Sequence, residues 1–304
     1  MPIFLPQLSR RAFLKRAALA GAAVALTPSC VSDAGKSRAN NTFVFFSDPH
    51  IAADPKVINS GVNMSDNFTA VVNELIQSPV PPAAVIVNGD LAFKDGQPED
   101  YATFGKLIEP VRAVAPLHLT MGNHDQREHF WTAFPHDAVT EKSVPQKQVT
   151  VFASEHANWF LLDTLDVTLA VPGVLGAAQL AWLNAELAAR PDKPAIIVGH
   201  HNLQTPGSTD GLKTETAAMD ALFAKHPQVK AYIFGHTHNW NLTQHKTGVH
   251  LINLPPTGYV FTRGKPSGWV RVTLAGDSME IELRALDVKQ PDHAQVKQLK
   301  WRTA

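Results

Sequence analysis

The sequence predicts an α/β fold, and two observations carry that prediction. From residue 42 onward, short runs rich in Val, Ile and Phe alternate with longer segments of helical periodicity, as in sheets covered by helices. The chain has 304 residues, of which 44% are hydrophobic and 18% charged, so it can build a substantial core. No internal repeat and no shift of composition divides the later part of the chain. We therefore expect one domain over residues 42–304.

Segment lengths and turn residues place the individual elements. The predicted strands are residues 42–47, 83–88, 116–121, 159–163, 195–199, 229–235, 249–254, 269–274 and 279–286. The predicted helices are residues 65–77, 99–114, 177–190 and 215–225. Ser65 is expected to cap the first helix, and Pro98 to open the second. No helix separates the last two strands, which predicts antiparallel pairing there.

The charge balance excludes a surface for nucleic acid. The chain carries 27 Lys and Arg against 27 Asp and Glu. Four of the basic residues, Arg10, Arg11, Lys15 and Arg16, lie in the first 29 residues, which contain no acid. The remainder is therefore acidic, 23 minus 27 or about −4, and a phosphate backbone requires a Lys and Arg surface. We expect a small-molecule partner instead.

The N-terminus has the pattern of an export signal. Arg10 and Arg11 precede an aromatic residue and a leucine, and a weakly apolar run follows over residues 17–26. The segment resembles a twin-arginine signal, which implies the twin-arginine export machinery as a partner and an exported, periplasmic or envelope location. The apolar run is too short to span a bilayer. We expect residues 1–30 to be the signal and residues 31–41, which are small and polar, to be a linker.

Cys30, the only cysteine, leaves two interpretations of this signal open. It stands just past the apolar run, where a lipoprotein carries its lipid-modified cysteine, and such a lipid would hold the mature chain at a membrane. However, Thr27 and Pro28 stand where that signal prefers leucine and a small residue, so cleavage after Ala25 is the competing interpretation. A single cysteine also excludes an internal disulfide and a thiolate metal cluster.

Polar residues follow five of the predicted strands at the point where each strand ends. They are Asp48-Pro49-His50, Gly89-Asp90, Gly122-Asn123-His124-Asp125, Gly199-His200-His201 and Gly235-His236-Thr237-His238. Strand ends are where open α/β sheets gather their sites. The glycines are expected to let the chain turn sharply, so that the next side chain projects from the sheet edge. Chance would place about 0.002 copies of Gly-Asn-His-Asp in a shuffled chain of this composition, so the set indicates one site.

These loops supply carboxylate, amide and imidazole groups, with no sulfur. Such ligands suit Mn, Fe, Zn or Co, and they suffice for two ions if one carboxylate is shared. Two ions about 3.5–4 Å apart can hold a hydroxide between them and stabilise the charge of an in-line displacement at phosphorus. Hydrolysis of a phosphate ester is the natural use of such a site.

Taken in order, the motifs resemble those of the calcineurin-like metallophosphoesterases over residues 42–238. The doubled His200-His201 and the ending Gly-His-Thr-His are most similar to the bacterial cyclic-nucleotide phosphodiesterase group. The resemblance implies a four-layer α/β/β/α sandwich of two facing mixed sheets. It also implies a hydrolase of small phosphate esters, a phosphodiesterase first, with two divalent or trivalent ions (Fe, Mn or Zn) and a bridging hydroxide as nucleophile.

The resemblance further implies a role for each polar side chain. One ion would be bound by Asp48, His50, Asp90 and His238, and the other by Asp90, Asn123, His200 and His236. His124 would face the scissile bond and assist the leaving oxygen, and Asp125 would orient its imidazole.

Some alternatives stay open at this point. His201 either supports a ligand or contacts phosphate, and residues 255–264 either return to the site or form a plain hairpin loop. A phosphomonoesterase or nucleotidase of the same superfamily is a second function, and it would need extra cationic groups. A non-catalytic periplasmic metal-binding protein is a third, although it has no use for a non-ligand histidine such as His124.

Overall fold

Residues 39–137 and 143–303 are described by the computed structural model, and their strands form two six-stranded sheets and a two-stranded ribbon. In chain order the strands are β1 (Ala39–Ser47), β2 (Ile58–Asn59), β3 (Val62–Asn63), β4 (Pro82–Asn88), β5 (Leu117–Thr120), β6 (Thr150–Ala153), β7 (Asn158–Leu161), β8 (Ala195–Val198), β9 (Val229–Phe234), β10 (Asn241–Gln244), β11 (His250–Asn253), β12 (Gly268–Leu274), β13 (Ser278–Ala285) and β14 (Val296–Lys300). The helices of the same residues are α1 (Met64–Ile76), α2 (Pro98–Arg112), α3 (Arg127–Ala133), α4 (Ala177–Ala188) and α5 (Thr216–Lys225).

Each sheet has a parallel centre and antiparallel strands at its margins. The first sheet has the order β14-β13-β12-β1-β4-β5, in which β1, β4 and β5 are parallel and β12, β13 and β14 pair antiparallel. The second has the order β10-β11-β9-β8-β7-β6, in which only β10 and β6 pair antiparallel. Because parallel strands end at the same edge, the polar loops after β1, β4 and β5 lie together, as do those after β8 and β9.

The two sheets enclose a common apolar core, and helices cover their outer faces. Between the sheets, Phe43 of β1 packs on Trp159 of β7 with ring centroids 4.4 Å apart. On the outer face of the first sheet, Phe46 packs against the side chains of α1 and α2. On the outer face of the second, Leu183 of α4 and Phe223 of α5 are fully buried. The expected four-layer sandwich is confirmed.

The first helix and the first strand begin at other residues than the sequence predicts. The N-cap of α1 is Asn63, whose side chain accepts a hydrogen bond from the Asp66 amide at 3.0 Å, whereas Ser65 lies inside the helix and is buried. Asparagine serves because its short amide reaches the first free amide groups of the helix. β1 begins at Ala39, whose amide donates to the Pro81 carbonyl at 3.0 Å, so residues 39–41 belong to the strand rather than to the linker.

The interpretations of residues 1–30 and of Cys30 fall outside the described residues. Over residues 39–137 and 143–303, the helices are too short or too polar to cross a bilayer.

Candidate metal centre

The polar loops of both sheets meet at one place. The His236 amide, after β9, donates to the Asp48 carboxylate, after β1, at 3.0 Å. Nε2 of His200, after β8, lies 3.2 Å from Oδ2 of Asp90, after β4. Nε2 of His238 lies 3.5 Å from Oδ1 of Asp48. All five side chains are buried, so the two sheets jointly build a polar centre inside the protein.

The candidate ligand atoms form two groups that share Asp90. In each group the atoms lie within 4.8 Å of one another; the groups are Asp48, His50, Asp90 and His238, and Asp90, His200 and His236. Asn123 lies between Gly122 and His124, and the His124 amide donates to Asp90 Oδ1 at 2.8 Å. Oδ1 of Asn123 is buried without a hydrogen-bond partner among the described residues, which suits a ligand of the second group. The structure thus brings together the residues expected to hold two ions.

Three of these histidines are oriented by backbone carbonyls. Their Nδ1 atoms face the carbonyl oxygens of Phe93 (His50, 3.3 Å), Asn88 (His200, 3.0 Å) and Tyr259 (His238, 2.5 Å). A carbonyl only accepts, so each Nδ1 carries the hydrogen, and Nε2 points into the centre, where a neutral ring offers its lone pair.

The contact between His50 and His238 tests whether the residues fit a metal. Their Nε2 atoms lie 3.0 Å apart. Since both Nδ1 atoms donate to carbonyls, two lone pairs face each other, an arrangement that a cation between or beside them makes favourable. The donor set is imidazole, carboxylate and amide, which fits Mn, Fe or Zn.

The pKa values of the buried histidines also fit a metal centre. Burial lowers the pKa of His50 and of His236 to about 4, so both rings are neutral near pH 7, as ligands must be. Burial also opposes protonation of His200, but the adjacent carboxylates of Asp90 and Asp48 raise its pKa to about 9. These two buried carboxylates therefore stabilise positive charge at the centre.

Ligand residues themselves take the left-handed backbone conformation. The φ angles are 51° at Asp48, 50° at His50 and 50° at Asp90, where a non-glycine residue pays a steric cost of about 1–2 kcal/mol. Gly89 also has a positive φ, as the expected sharp turn requires. Gly122, Gly199 and Gly235 do not; at Gly122 a Cβ would lie 2.2 Å from Asp90 Oδ1, so glycine is needed there for close approach.

His124 lies beside the centre but belongs to neither ligand group of the described residues. Its ring meets the His50 ring edge to face, with centroids 4.9 Å apart. Its Nδ1 donates to the Lys94 carbonyl at 2.6 Å, which leaves Nε2 for other contacts. Unlike the ligands it is partly exposed, so it can meet a substrate.

The expected pair between Asp125 and the His124 imidazole is not formed. The Asp125 carboxylate instead accepts hydrogen bonds from the amides of Leu91 (3.1 Å), Ala92 (3.2 Å) and Gly122 (2.9 Å) and from the Tyr101 hydroxyl (3.0 Å). It is fully buried beneath the loop, where these amide groups need an acceptor. Asp125 therefore positions the loops after β4 and β5 and acts on His124 only through the backbone.

His201 lies behind a ligand. Its Nδ1 hydrogen bonds with Thr164 Oγ1 at 2.7 Å, and its ring centroid lies 4.5 Å from that of His236. The side chain is fully buried. Of the two alternatives, this geometry matches support of a ligand rather than contact with phosphate.

Residues 255–264 return to the centre rather than forming a separate hairpin. The Gly258 amide donates to the Asp48 carbonyl at 3.0 Å, and the Tyr259 carbonyl holds Nδ1 of His238. The Tyr259 ring lies 5.0 Å from that of His50. Sequence reasoning gave this loop no definite role; its signal was aromatic residues in a Pro- and Gly-containing loop after the last polar motif.

Comparison with known proteins agrees with this geometry. A 3′,5′-cyclic-nucleotide phosphodiesterase of Nostoc sp. is 28% identical over 221 residues, covering 70% of this chain and 77% of the relative. A 3′,5′-cyclic adenosine monophosphate phosphodiesterase of Escherichia coli is 29% identical over 249 residues, covering 78% and 83%. A dimetal phosphatase from Danio rerio has the same fold, with a TM-score of 0.64 at 16% identity, covering 86% of this chain and 99% of that one.

The calcineurin-like phosphoesterase family matches residues 42–240, which contain both ligand groups and His124. The chain therefore belongs to the calcineurin-like phosphoesterase family and is an enzyme that hydrolyses phosphate esters.

Proposed function

We propose that the protein is a phosphodiesterase that uses two metal ions and accepts 3′,5′-cyclic nucleotides. The observation that carries the proposal is the pair of buried ligand groups sharing Asp90, with the non-ligand His124 next to them. The names of the Nostoc and Escherichia coli relatives support the substrate class. Asp90 would bind both ions. Asp48, His50 and His238 would complete the first site, and Asn123, His200 and His236 the second.

In this proposal the protein's own residues position the ester and move one proton. Two ions at such a site neutralise phosphoryl charge and activate water for attack on phosphorus. His124 donates a proton from Nε2 to the leaving oxygen. The Lys94 carbonyl accepts from Nδ1 and so fixes the ring with Nε2 available to the ester. Asp125 holds the loop that carries His124 and Asn123.

Two cations that pair with one carboxylate beyond the loop favour a diester over a monoester. A monoester brings a second negative charge, which requires a free cationic group. Arg127, which follows this loop, is paired with Asp163 at 2.8 Å, and Lys147 lies 3.7 Å from the same carboxylate. Each cation also donates to a backbone carbonyl, Arg127 to Asp166 at 3.0 Å and Lys147 to Leu165 at 2.8 Å, so neither is free to bind a phosphate.

A panel of substrates and metals tests the proposal. Metal-free protein is loaded with Mn, Fe or Zn and offered bis(p-nitrophenyl) phosphate, cyclic AMP, p-nitrophenyl phosphate and AMP. We expect metal-dependent hydrolysis of the two diesters at higher kcat/KM than that of the two monoesters. The reverse preference would establish the phosphomonoesterase or nucleotidase function. Bound metal without turnover of any ester would establish the metal-binding protein.

A further inference from the structure

Phe261 covers one face of a metal-ligand candidate and leaves its own other face open. Its ring is stacked on the His238 imidazole, with centroids 4.0 Å apart and planes 9° apart. The residue is 66% exposed, and it is the one aromatic among the strongly exposed large hydrophobic residues of the described chain. A flat group that covers the open face of this ring would remove apolar surface from water, which is favourable.

The ring is held in place by the backbone that precedes it and by the Tyr259 ring. The Gly258 carbonyl accepts from Asn67 Nδ2 at 2.8 Å, and the Tyr259 carbonyl holds His238 Nδ1. The Tyr259 ring meets the Phe261 ring edge to face at 6.0 Å. Phe261 is therefore a preorganised flat surface next to the metal centre, so a ligand that covers it need not order it first.

We propose that Phe261 is a stacking subsite for a planar heterocycle of the substrate, the nucleobase in the case of a cyclic nucleotide. This inference rests on the proposed function and names the group that the site selects. Stacking of a base on an aromatic side chain strengthens binding by about 5- to 150-fold, and it tolerates different bases because each has a flat face. A diester with only aliphatic groups gains little from such a surface.

The first test compares two ligands that differ by the base alone. Manganese-loaded protein is titrated with AMP and with ribose 5-phosphate by calorimetry. We expect AMP to bind about 5- to 150-fold more tightly. Phe261→Ala should bring the two affinities together, and Phe261→Trp should keep them apart. Val296→Ala, which changes an exposed apolar residue on β14, is the matched control and should leave the ratio as it is.

Kinetics separate stacking from an effect through His238. In Phe261→Ala the loss of kcat/KM on cyclic AMP should exceed the loss on glycerophosphocholine at least fivefold, with unchanged metal content. Equal losses on both diesters, or lost metal, would mean that Phe261 only supports His238 and would overturn the subsite. Equal affinities of the unaltered protein for AMP and ribose 5-phosphate would also overturn the subsite. If that protein prefers AMP but hydrolyses neither diester, the subsite stands and the phosphodiesterase function fails.

Discussion

The hydroxyl of Tyr101 donates a hydrogen bond to the carboxylate of Asp125 at 3.0 Å and thereby ties a helix of the outer layer to a loop of the metal centre. The same hydroxyl accepts from the Gln126 amide at 2.8 Å. Both side chains are fully buried. Because Asp125 also accepts from the Gly122 amide, the position of Asn123 and His124 depends on this acceptor.

Asp125→Asn is expected to weaken the loop rather than the acid catalysis. The amide keeps one acceptor oxygen and turns an NH2 group toward buried donors, so the free energy of unfolding should fall by about 1–3 kcal/mol. The loss of activity should be the same for aryl and alkyl esters. Denaturant unfolding and a series of leaving groups measure the two effects. Tyr101→Phe, which keeps the carboxylate, should be milder, and a leaving-group-dependent loss in Asp125→Asn would contradict a purely positioning role.

Asp90 and Asn123 are expected to differ in their effect on metal content. Asp90 belongs to both ligand groups, so Asp90→Ala should empty both ion positions. Asn123→Ala removes an oxygen that suits only the second group, so about one ion per chain should remain. Elemental analysis of the purified variants after dialysis measures this. Loss of a single ion in both variants would remove Asp90 from the bridging position.

Gly122→Ala tests the close approach of the loop to Asp90. The added Cβ would lie 2.2 Å from Asp90 Oδ1 and 2.6 Å from His200 Nε2, so the carboxylate or the loop must shift. A displacement of about 1 Å at a reacting centre costs on the order of 10²-fold in rate. We expect that loss in kcat/KM together with weaker metal binding. At Gly276 a Cβ meets nothing within 4 Å, so Gly276→Ala should behave like the parent protein; equal behaviour of the two variants would show that the loop yields easily.

The interior of the fold could be predicted from sequence because its strands are continuously apolar. β4 and β8 are buried along almost their whole length, and the predicted ranges matched them closely. β14 was missed because its residues alternate between exposed and partly buried positions at the margin of the sheet. The helix α3 was missed because it has only 7 residues, too few for a clear period.

The centre could be predicted as a set of residues but not as a set of contacts. The ends of neighbouring parallel strands bring Asp48 and Asp90 together whatever the details of the loops, and the packing of the second sheet on the first adds His200. The partner of Asp125 could not be read in the same way, because Tyr101 lies 24 residues away on a helix. The contact between the Tyr259 carbonyl and His238 could not be predicted either, because it depends on how the last strands of the first sheet are added.

Export is a proposal that depends on the first residues of the chain alone. Arg10→Lys combined with Arg11→Lys should leave the precursor in the cytoplasm, because the paired arginines are what the twin-arginine machinery reads. Fractionation of cells that produce the tagged chain measures this, and normal export of the double variant would reject the route. Cys30→Ala should release the protein from membranes if Cys30 carries a lipid. Unchanged partitioning would favour cleavage after Ala25.

His124→Ala separates acid catalysis from metal binding. His124 lies outside both ligand groups of the described residues, so the variant should keep a near-normal metal content. If Nε2 protonates the leaving oxygen, the rate on alkyl diesters should fall by roughly 10²–10⁴-fold. The deficit should shrink for aryl diesters, because a nitrophenolate leaves as a stable anion and needs little protonation.

A plot of the His124→Ala deficit against the pKa of the leaving alcohol therefore decides the role of this residue. A slope, with the largest deficit at the least acidic alcohols, supports proton donation from Nε2. A flat line would indicate that His124 binds the phosphate or orders the site without moving a proton. Loss of metal in the variant would make His124 a ligand through Nε2, with Nδ1 still on the Lys94 carbonyl, the arrangement that His50 also has.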